Sequence, residues 1–169
     1  MITRTLIAVV SLLAATKPAA PLQIFNRERQ VIVTVTTAVS GSDLQFTANF
    51  PRPVKSYLKE EYDNLPLEFH VDSDNNKKTG NQDSPDVRLG AEYIVIAVAR
   101  VPRAGVKTEE VTVTRNSDNM MQKTGAKMRV DGSRMIVSVP LSELKLKKGQ
   151  KARIAVVADG ELADTTVSL

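Results

Sequence analysis

The chain has no cysteine, no tryptophan and a single histidine, His70. Without cysteine it can form no disulfide bond and no thiolate metal site, and it has no cysteine nucleophile or lipid-modified N-terminal cysteine. Aromatic residues make up 4% of the sequence, whereas hydrophobic residues make up 42%. A length of 169 residues is typical of one domain. We therefore expect a single domain with an aliphatic core.

The sequence also lacks the motifs of common enzyme classes. It contains no Gly-x-Ser-x-Gly and no phosphate-binding loop, and it shows no Ser-His-Asp order in an acyl-transfer context. Its most closely spaced acidic residues share one short loop, which suits a metal ion better than a substrate cleft. We therefore expect a protein that is not an enzyme.

The net charge of +4 gives little support for nucleic-acid binding. The basic residues cluster once, in a turn between two predicted strands, and no aromatic residue is interleaved with them: Lys145, Lys147, Lys148, Lys151 and Arg153. We interpret this cluster as a solvated loop, with a polyanion-binding patch as the alternative. We expect no nucleic-acid partner.

Residues 1–20 have the layout of a secretory signal peptide. Arg4 gives a positive start, Leu6 to Ala15 form an apolar run, and small residues precede Pro21. The run is shorter than the ~20 residues that span a bilayer. A buried first strand is the alternative interpretation. We expect an exported protein, periplasmic or extracellular, whose mature chain (21–169) forms one domain and has no membrane span.

Alternation of apolar and polar residues dominates the sequence after residue 30. It predicts strands with one dry face and one wet face, as in antiparallel sheets; examples are Val31 to Val35, Leu44 to Phe50, Leu65 to Val71 and Met135 to Val139. The run Ala91 to Val101 is apolar on both faces and predicts a central strand that is covered on both sides. Asp131-Gly132 predicts a hairpin, and Pro53 to Tyr62 one or two helical turns. The fold class is therefore all-β, a mostly antiparallel two-sheet β-sandwich.

A loop rich in oxygen ligands follows the strand that ends near Val71. Asp72, Asp74 and Asn76 alternate, so a tight turn can point all three at one cation. Counted from Asp72, the spacing of an EF-hand loop adds the backbone carbonyl of Lys78 and the carboxylate of Asp83. The flanking strands, and Lys77 where that loop has glycine, exclude a true EF-hand. A polar turn that bonds its own backbone is the alternative.

Further acids come within reach of this loop if the chain folds back after Gly90. Glu92 is the first acid after that glycine, and Asp86 lies before it. Closely spaced carboxylates repel one another unless a cation or water screens them. With oxygen donors available and neither cysteine nor a histidine cluster, Ca²⁺ is the expected ion and Zn²⁺ is not.

Three patches of the sequence resemble a family of secreted β-sandwich domains. They are Phe69 to Asn76 with Thr79-Gly80, then Gly90 to Tyr93, and Ser138 to Leu144 with the strand that ends at Asp159. Together they resemble the family-9-type carbohydrate-binding modules and the related DOMON-like domains. The resemblance implies a jelly-roll-like sandwich with a structural Ca²⁺, and it implies Asp72, Asp74, Asn76 and Glu92 as ligands.

The chain departs from that family in its aromatic residues. Sugar-binding members of the family hold their ligand with aromatic side chains, often tryptophan, and this chain has no tryptophan. Tyr57 and Tyr62 are the candidate ligand-binding residues, because they lie outside the predicted strands. Both could instead cover the edge of the sandwich. We expect an exported, Ca²⁺-stabilised binding module for carbohydrate; the alternative is a structural or protein-interaction subunit of the cell envelope without sugar affinity.

Overall fold

The structure is a computed structural model, which describes residues 20–58, 63–80, 90–117, 120–122, 124–158 and 161–169. These residues form strands with the following bounds: β1 (Leu22–Asn26), β2 (Val31–Ser40), β3 (Asp43–Asn49), β4 (Asn64–Asp72), β5 (Tyr93–Arg100), β6 (Glu109–Arg115), β7 (Met120–Gln122), β8 (Lys127–Asp131), β9 (Arg134–Pro140), β10 (Lys151–Ala158) and β11 (Glu161–Ser168). A 3₁₀ turn at Val54–Tyr57 lies between β3 and β4. Within the described ranges, no helix is long and apolar enough to cross a membrane.

The strands form two sheets that pack face to face. One has five strands in the order β1-β2-β3-β9-β8, and the other has six in the order β11-β10-β4-β5-β6-β7. Neighbouring strands are antiparallel in both sheets. The predicted all-β, two-sheet sandwich is confirmed.

The core lies between the sheets and follows the predicted alternation. The ring of Phe46 on β3 stacks on that of Phe69 on β4, with 4.4 Å between ring centroids and 13° between ring planes. Aliphatic side chains surround this pair at every second position and are fully buried, among them Val33, Leu44, Leu65, Leu67, Val71, Val95, Val137 and Ile154. Burial of this apolar surface is the main force that holds the two sheets together.

The central strand β5 lies between β4 and β6, as predicted, but its two faces differ. Tyr93, Val95 and Ala97 point into the core, whereas Ile94 and Ile96 on the other face are half-buried. The expectation that both faces are covered is therefore met only on the core side.

Two local predictions are met within the described residues. Asp131 pairs with Arg134 across a hairpin whose first central residue, Gly132, has φ +60°, as type II′ turns require. The segment that begins at Pro53 forms the 3₁₀ turn named above. Residues 59–62 of the same predicted helical segment lie outside the described residues. His70 faces away from the core, as the alternation indicates, yet it is buried, with Nε2 3.3 Å from Glu68 Oε2.

Candidate metal site

Asp72 ends β4 at the point where the strand gives way to the polar loop. It lies opposite Arg153 of β10 in the sheet, and its side chain is 1% exposed. The preceding residue, Val71, is a core residue. Asp72 follows it as the last residue of β4 and therefore lies at the rim of the sandwich. A carboxylate at this position is held in place by the sheet and removed from water.

The loop folds back on Asp72 through hydrogen bonds to its own backbone. The backbone N–H of Asn76 donates to Oδ1 of Asp72 at 3.0 Å and to Oδ1 of Asp74 at 2.9 Å. The hydroxyl oxygen of Thr79 lies within hydrogen-bond distance of Oδ1 of Asp74, at 2.9 Å. Asn75 adopts a left-handed φ of 54°, which asparagine tolerates better than most residues. The loop therefore has the tight turn that the alternating acids predict.

Glu92 reaches the same place from the chain that returns after Gly90. Its backbone N–H donates to the carbonyl of Val71 at 3.0 Å, which places it beside the end of β4. Oε2 accepts the backbone N–H and the hydroxyl of Ser73 at 2.6 and 3.0 Å. Oε1 lies 3.0 Å from the hydroxyl oxygen of Thr79, whose single hydrogen can be donated to Glu92, to Asp74 or to the Asn76 carbonyl. The fold brings this acid to the loop, as expected for a chain that folds back at Gly90.

Asp72, Asp74 and Glu92 form one cluster. Each offers a carboxylate oxygen, and these oxygens lie within 4.8 Å of one another. The pKa of Asp72 is raised to about 6, chiefly by burial; the negative charges of Glu92 and Asp74 and a side-chain hydrogen bond with Asp74 contribute to the rise, and the hydrogen bond from the Asn76 N–H opposes it. The arrangement concentrates negative charge around the buried Asp72, with Glu92 half-buried and Asp74 exposed.

The second carboxylate oxygen of Asp72 distinguishes this site from an ordinary polar turn. Oδ2 is buried and, among the described residues, has no hydrogen-bond partner. A buried oxygen without a partner costs about 1–3 kcal/mol, and more when it is charged. The hydrogen bond from the Asn76 N–H within the turn satisfies Oδ1 but not Oδ2. A bound cation would satisfy Oδ2.

Two glycines close the loop against the start of β5. Gly80 and Gly90 have φ of +72° and +64°. A Cβ on Gly80 would lie 2.4 Å from the carbonyl oxygen of Gly90, and one on Gly90 would lie 2.6 Å from that of Asn76. Both positions therefore require glycine for conformation and for space. This close backbone contact fixes the distance between the loop and Glu92.

The other predicted ligands have different positions. Asn76 and Lys78 are exposed at the tip of the loop, and Oδ1 of Asn76 accepts the backbone N–H of Lys78 at 3.2 Å. Asp83 lies outside the described residues, as does Asp86. Ser73 and Thr79, which hold Glu92, were missed as supporting residues; their hydroxyls beside three acidic residues were the available signal.

The proposed aromatic platform is not present at Tyr57. This side chain is 4% exposed and belongs to the core. Its ring packs against Phe50 at 5.6 Å between centroids, and the guanidinium carbon of Arg52 lies 4.9 Å from the ring centroid. Tyr57 therefore covers the sandwich edge and offers no ring face to a sugar. Tyr62 lies outside the described residues.

Comparison with known proteins gives no match for this chain among family models, curated proteins or solved structures. The sequence resemblance to secreted carbohydrate-binding modules therefore stays a prediction. The functional interpretation rests on the chain's own geometry, above all on the cluster formed by Asp72, Asp74 and Glu92.

Proposed function

We propose that this protein is an exported, non-catalytic β-sandwich binding module that is stabilised by Ca²⁺ at Asp72, Asp74 and Glu92. The observation that carries the proposal is the buried Oδ2 of Asp72, which lacks a hydrogen-bond partner in the described part of the chain. A cation at this point satisfies that oxygen and screens three carboxylates that otherwise repel one another.

The donor set favours Ca²⁺ over other common ions. All three candidate ligands are carboxylates, which are ligands for hard cations. Zn²⁺ prefers nitrogen and sulfur, but the chain has no cysteine and its histidine is buried beside Glu68. An irregular loop suits the flexible coordination of Ca²⁺ better than the strict octahedron of Mg²⁺. The Asn76 side chain, the Lys78 carbonyl and water are the candidates for the remaining positions.

Bound there, the ion joins segments that are distant in sequence. Asp72 and Asp74 follow β4, whereas Glu92 precedes β5. An ion that binds only the folded chain adds stability by mass action, and free Ca²⁺ at 100 times its dissociation constant adds about 2.7 kcal/mol. The ion therefore acts as a structural staple at this rim of the sandwich.

The burial of Tyr57 bears on what the module binds. Tyr57 was the candidate sugar-binding residue in the described part of the chain, and its buried ring is not available to stack on a sugar. This observation favours the second candidate function, a structural or protein-interaction subunit of the cell envelope. Titration calorimetry against envelope and plant oligosaccharides separates the two. Binding of a glycan supports the carbohydrate module, whereas no heat together with co-purification of an envelope protein supports the subunit.

The metal is tested by thermal unfolding with excess Ca²⁺ and with chelator. We expect Ca²⁺ at 100 times its dissociation constant to raise the melting temperature by about 5–10 °C. Asp72→Ala or Asp74→Ala should abolish the shift. Asp43→Ala, in the hairpin between β2 and β3, removes an acid elsewhere and should leave the shift unchanged. The same melting temperature in Ca²⁺ and in chelator would support the self-bonded polar turn.

Export is a separate part of the proposal and has its own test. The charged start and the apolar run of residues 1–20 support cleavage near residues 15–22. The intact mass of the protein isolated from its native envelope or secreted fraction should match a chain that begins there. Full-length chain recovered from the cytoplasm would contradict export.

A further inference from the structure

A cleft lies at the other end of β4 and β5 from the candidate metal site. Asp72 ends β4, whereas the cleft is lined by Ala99 and Arg100 at the end of β5, which pair with the start of β4. The 3₁₀ turn, the connection from β5 to β6 and the β8–β9 hairpin surround it. Its volume is about 520 Å³, and small-molecule sites span roughly 300–1,000 Å³. The cleft therefore has the size of a ligand site and is separate from the acidic cluster.

Hydrogen bonds between these segments hold the walls of the cleft together. The backbone N–H of Val54 donates to the carbonyl of Gly132 at 2.9 Å, which joins the 3₁₀ turn to the hairpin. The backbone N–H of Val130 donates to Oε1 of Glu109 at 2.9 Å, which joins the hairpin to β6. The cleft is therefore formed by the fold itself, as most small-molecule sites are.

Aliphatic side chains form much of the surface of the cleft. The apolar lining residues are Pro53, Val54, Leu58, Ala99, Pro102 and Val130. Two of them, Val54 and Ala99, belong to the core, so the cleft reaches the edge of the core. The described lining contains no aromatic side chain on which a sugar ring could stack. A hydrocarbon chain needs only aliphatic surface and gains from leaving water there.

Four charged side chains also contribute to the lining, and only one of them is without a partner. Arg100 forms an ion pair with a glutamate of β6, and Asp131 forms ion pairs with two arginines of its own hairpin. Glu109 accepts the N–H named above. Lys55 is exposed and has no ion pair among the described residues. The cleft thus presents one uncompensated positive charge beside its aliphatic surface.

We propose that this cleft binds a monocarboxylate with an aliphatic chain, such as a free medium-chain fatty acid. The chain packs on the apolar lining, and the carboxylate pairs with Lys55. The inference rests on the proposed function only in so far as the protein is a binding module, and it names a ligand class for that module. It does not depend on Ca²⁺.

Two physical effects set the expected affinities. Each methylene that leaves water tightens binding by about fourfold. A partly exposed ion pair, here with Lys55, tightens it by up to about fivefold. Chain length and charge should therefore contribute separately, and probes that differ in one property at a time can resolve them.

The test is calorimetric titration of the protein with octanoate, hexanoate and octan-1-ol. Hexanoate has the same charge on a shorter chain, and octan-1-ol has the same chain without the charge. We expect octanoate to bind about tenfold more tightly than hexanoate, because two more methylenes are buried. We expect it to bind about fivefold more tightly than octan-1-ol, because of the ion pair.

Lys55→Gln is the variant that tests the charge, because it keeps a polar stem and removes the ammonium group. Octanoate should then bind no more tightly than octan-1-ol, and the affinity for octan-1-ol should stay unchanged. Lys148→Gln removes an exposed lysine from the turn between β9 and β10, outside the described lining, and should behave as the unmodified chain.

Thr108→Phe tests the location, because Thr108 is an exposed lining residue whose replacement by a large ring fills the cleft from its rim. Its backbone carbonyl accepts the N–H of Arg100 at 2.8 Å, and this hydrogen bond is retained in the variant. We expect Thr108→Phe to keep the melting temperature of the unmodified chain and to lose binding of both octanoate and octan-1-ol.

The outcomes separate this inference from the proposed metal site. No binding of octanoate, with the melting shift in Ca²⁺ retained, would overturn the cleft proposal and leave the metal site intact. Octanoate binding without any melting shift in Ca²⁺ would support the cleft and remove the metal. Octan-1-ol that binds as tightly as octanoate to the unmodified chain, or octanoate binding that persists in Thr108→Phe, would also overturn the proposal.

Discussion

The buried side chains near the two ends of β4 differ in whether the protein supplies partners for them. Near the start of the strand, Tyr57 packs its ring on Phe50 and beneath Arg52, and Val54 N–H donates to the carbonyl of Gly132 at 2.9 Å. At the other end, Asp72 is as deeply buried but one of its oxygens lacks a partner within the described structure. At the first end the Tyr57 ring is enclosed by protein packing, whereas the second end leaves one buried carboxylate oxygen without a hydrogen-bond partner among the described residues, which the proposed cation would supply.

This contrast distinguishes a structural residue, Tyr57, from a candidate binding residue of similar burial, Asp72. The Tyr57 ring is buried against Phe50 and Arg52 in the described structure. Asp72 has a pKa raised to about 6 by burial, with the negative charges of Glu92 and Asp74 adding to the rise. A group whose charged form is disfavoured by the protein alone is a candidate for binding a cation.

The largest expected effect concerns the packed end. Tyr57→Ala removes a core ring and should lower the free energy of unfolding by about 3–5 kcal/mol, since comparable aromatic truncations do so. Tyr57→Phe keeps the ring and should cost less than about 1.5 kcal/mol. Urea denaturation measures both. A loss below 1 kcal/mol in Tyr57→Ala would show that the ring is not part of the core and would restore it as a ligand platform.

The next effect compares two glycines with similar backbone conformations. Gly80→Ala and Gly105→Ala both place a Cβ at a left-handed φ, which costs roughly 1–2 kcal/mol. Of the two, only Gly80 would direct that Cβ into backbone carbonyls, those of Gly90 and Ala91 just before Glu92, because Gly105 has open space around it. We expect Gly80→Ala to weaken Ca²⁺ binding at least tenfold and Gly105→Ala to leave it unchanged. Equal Ca²⁺ affinities in calorimetry would show that the glycine contact does not position Glu92.

The smallest effect is the pH dependence of the metal-free protein. Because the folded pKa of Asp72 is raised to about 6, its protonation favours the folded state. This contribution is fully present below pH 4 and is lost as the pH rises through 6. Asp72→Asn removes the titrating group, so the mutant should be more stable than the original chain at pH 7 in chelator, by about 1–2 kcal/mol.

Denaturation of both chains at pH 4 and pH 7 checks that prediction. The stability difference between them should shrink towards pH 4, where Asp72 is protonated and resembles asparagine. Asp72→Asn should also lose the response to Ca²⁺, because an amide ligand lacks the charge. A mutant that is less stable than the original chain at pH 7 in chelator would show that the negative charge of Asp72 does not destabilise the metal-free protein.

Much of the fold was predictable because strand alternation is a local signal. Each apolar residue of Leu44 to Phe50 and of Leu65 to Val71 faces the core, since side chains in a strand point to opposite faces in turn. The edge strands β1 and β11 gave no such signal. In β11 the side chains are half-buried or exposed up to Val167, so its sequence need not alternate, and backbone pairing with β10 holds it.

The candidate metal site was predictable in part for the same reason. Asp72, Asp74 and Asn76 are neighbours in sequence, and their spacing is readable without a fold. Glu92 lies near this loop only because the chain folds back at Gly90. The sequence indicated that Glu92 would reach the loop if the chain turned there, but it could not show that the chain does so. The burial of Asp72, which leaves its Oδ2 without a partner among the described residues, depends on the packing of strands far apart in sequence.

The central claim is most directly tested by a crystal structure of the mature protein grown with saturating Ca²⁺, with anomalous data to identify the ion. We expect one ion beside Asp72, Asp74 and Glu92, with Oδ2 of Asp72 at about 2.3–2.6 Å from it. Water or a side-chain donor bonded to Oδ2 in its place, with no ion among the three carboxylates, would contradict the account.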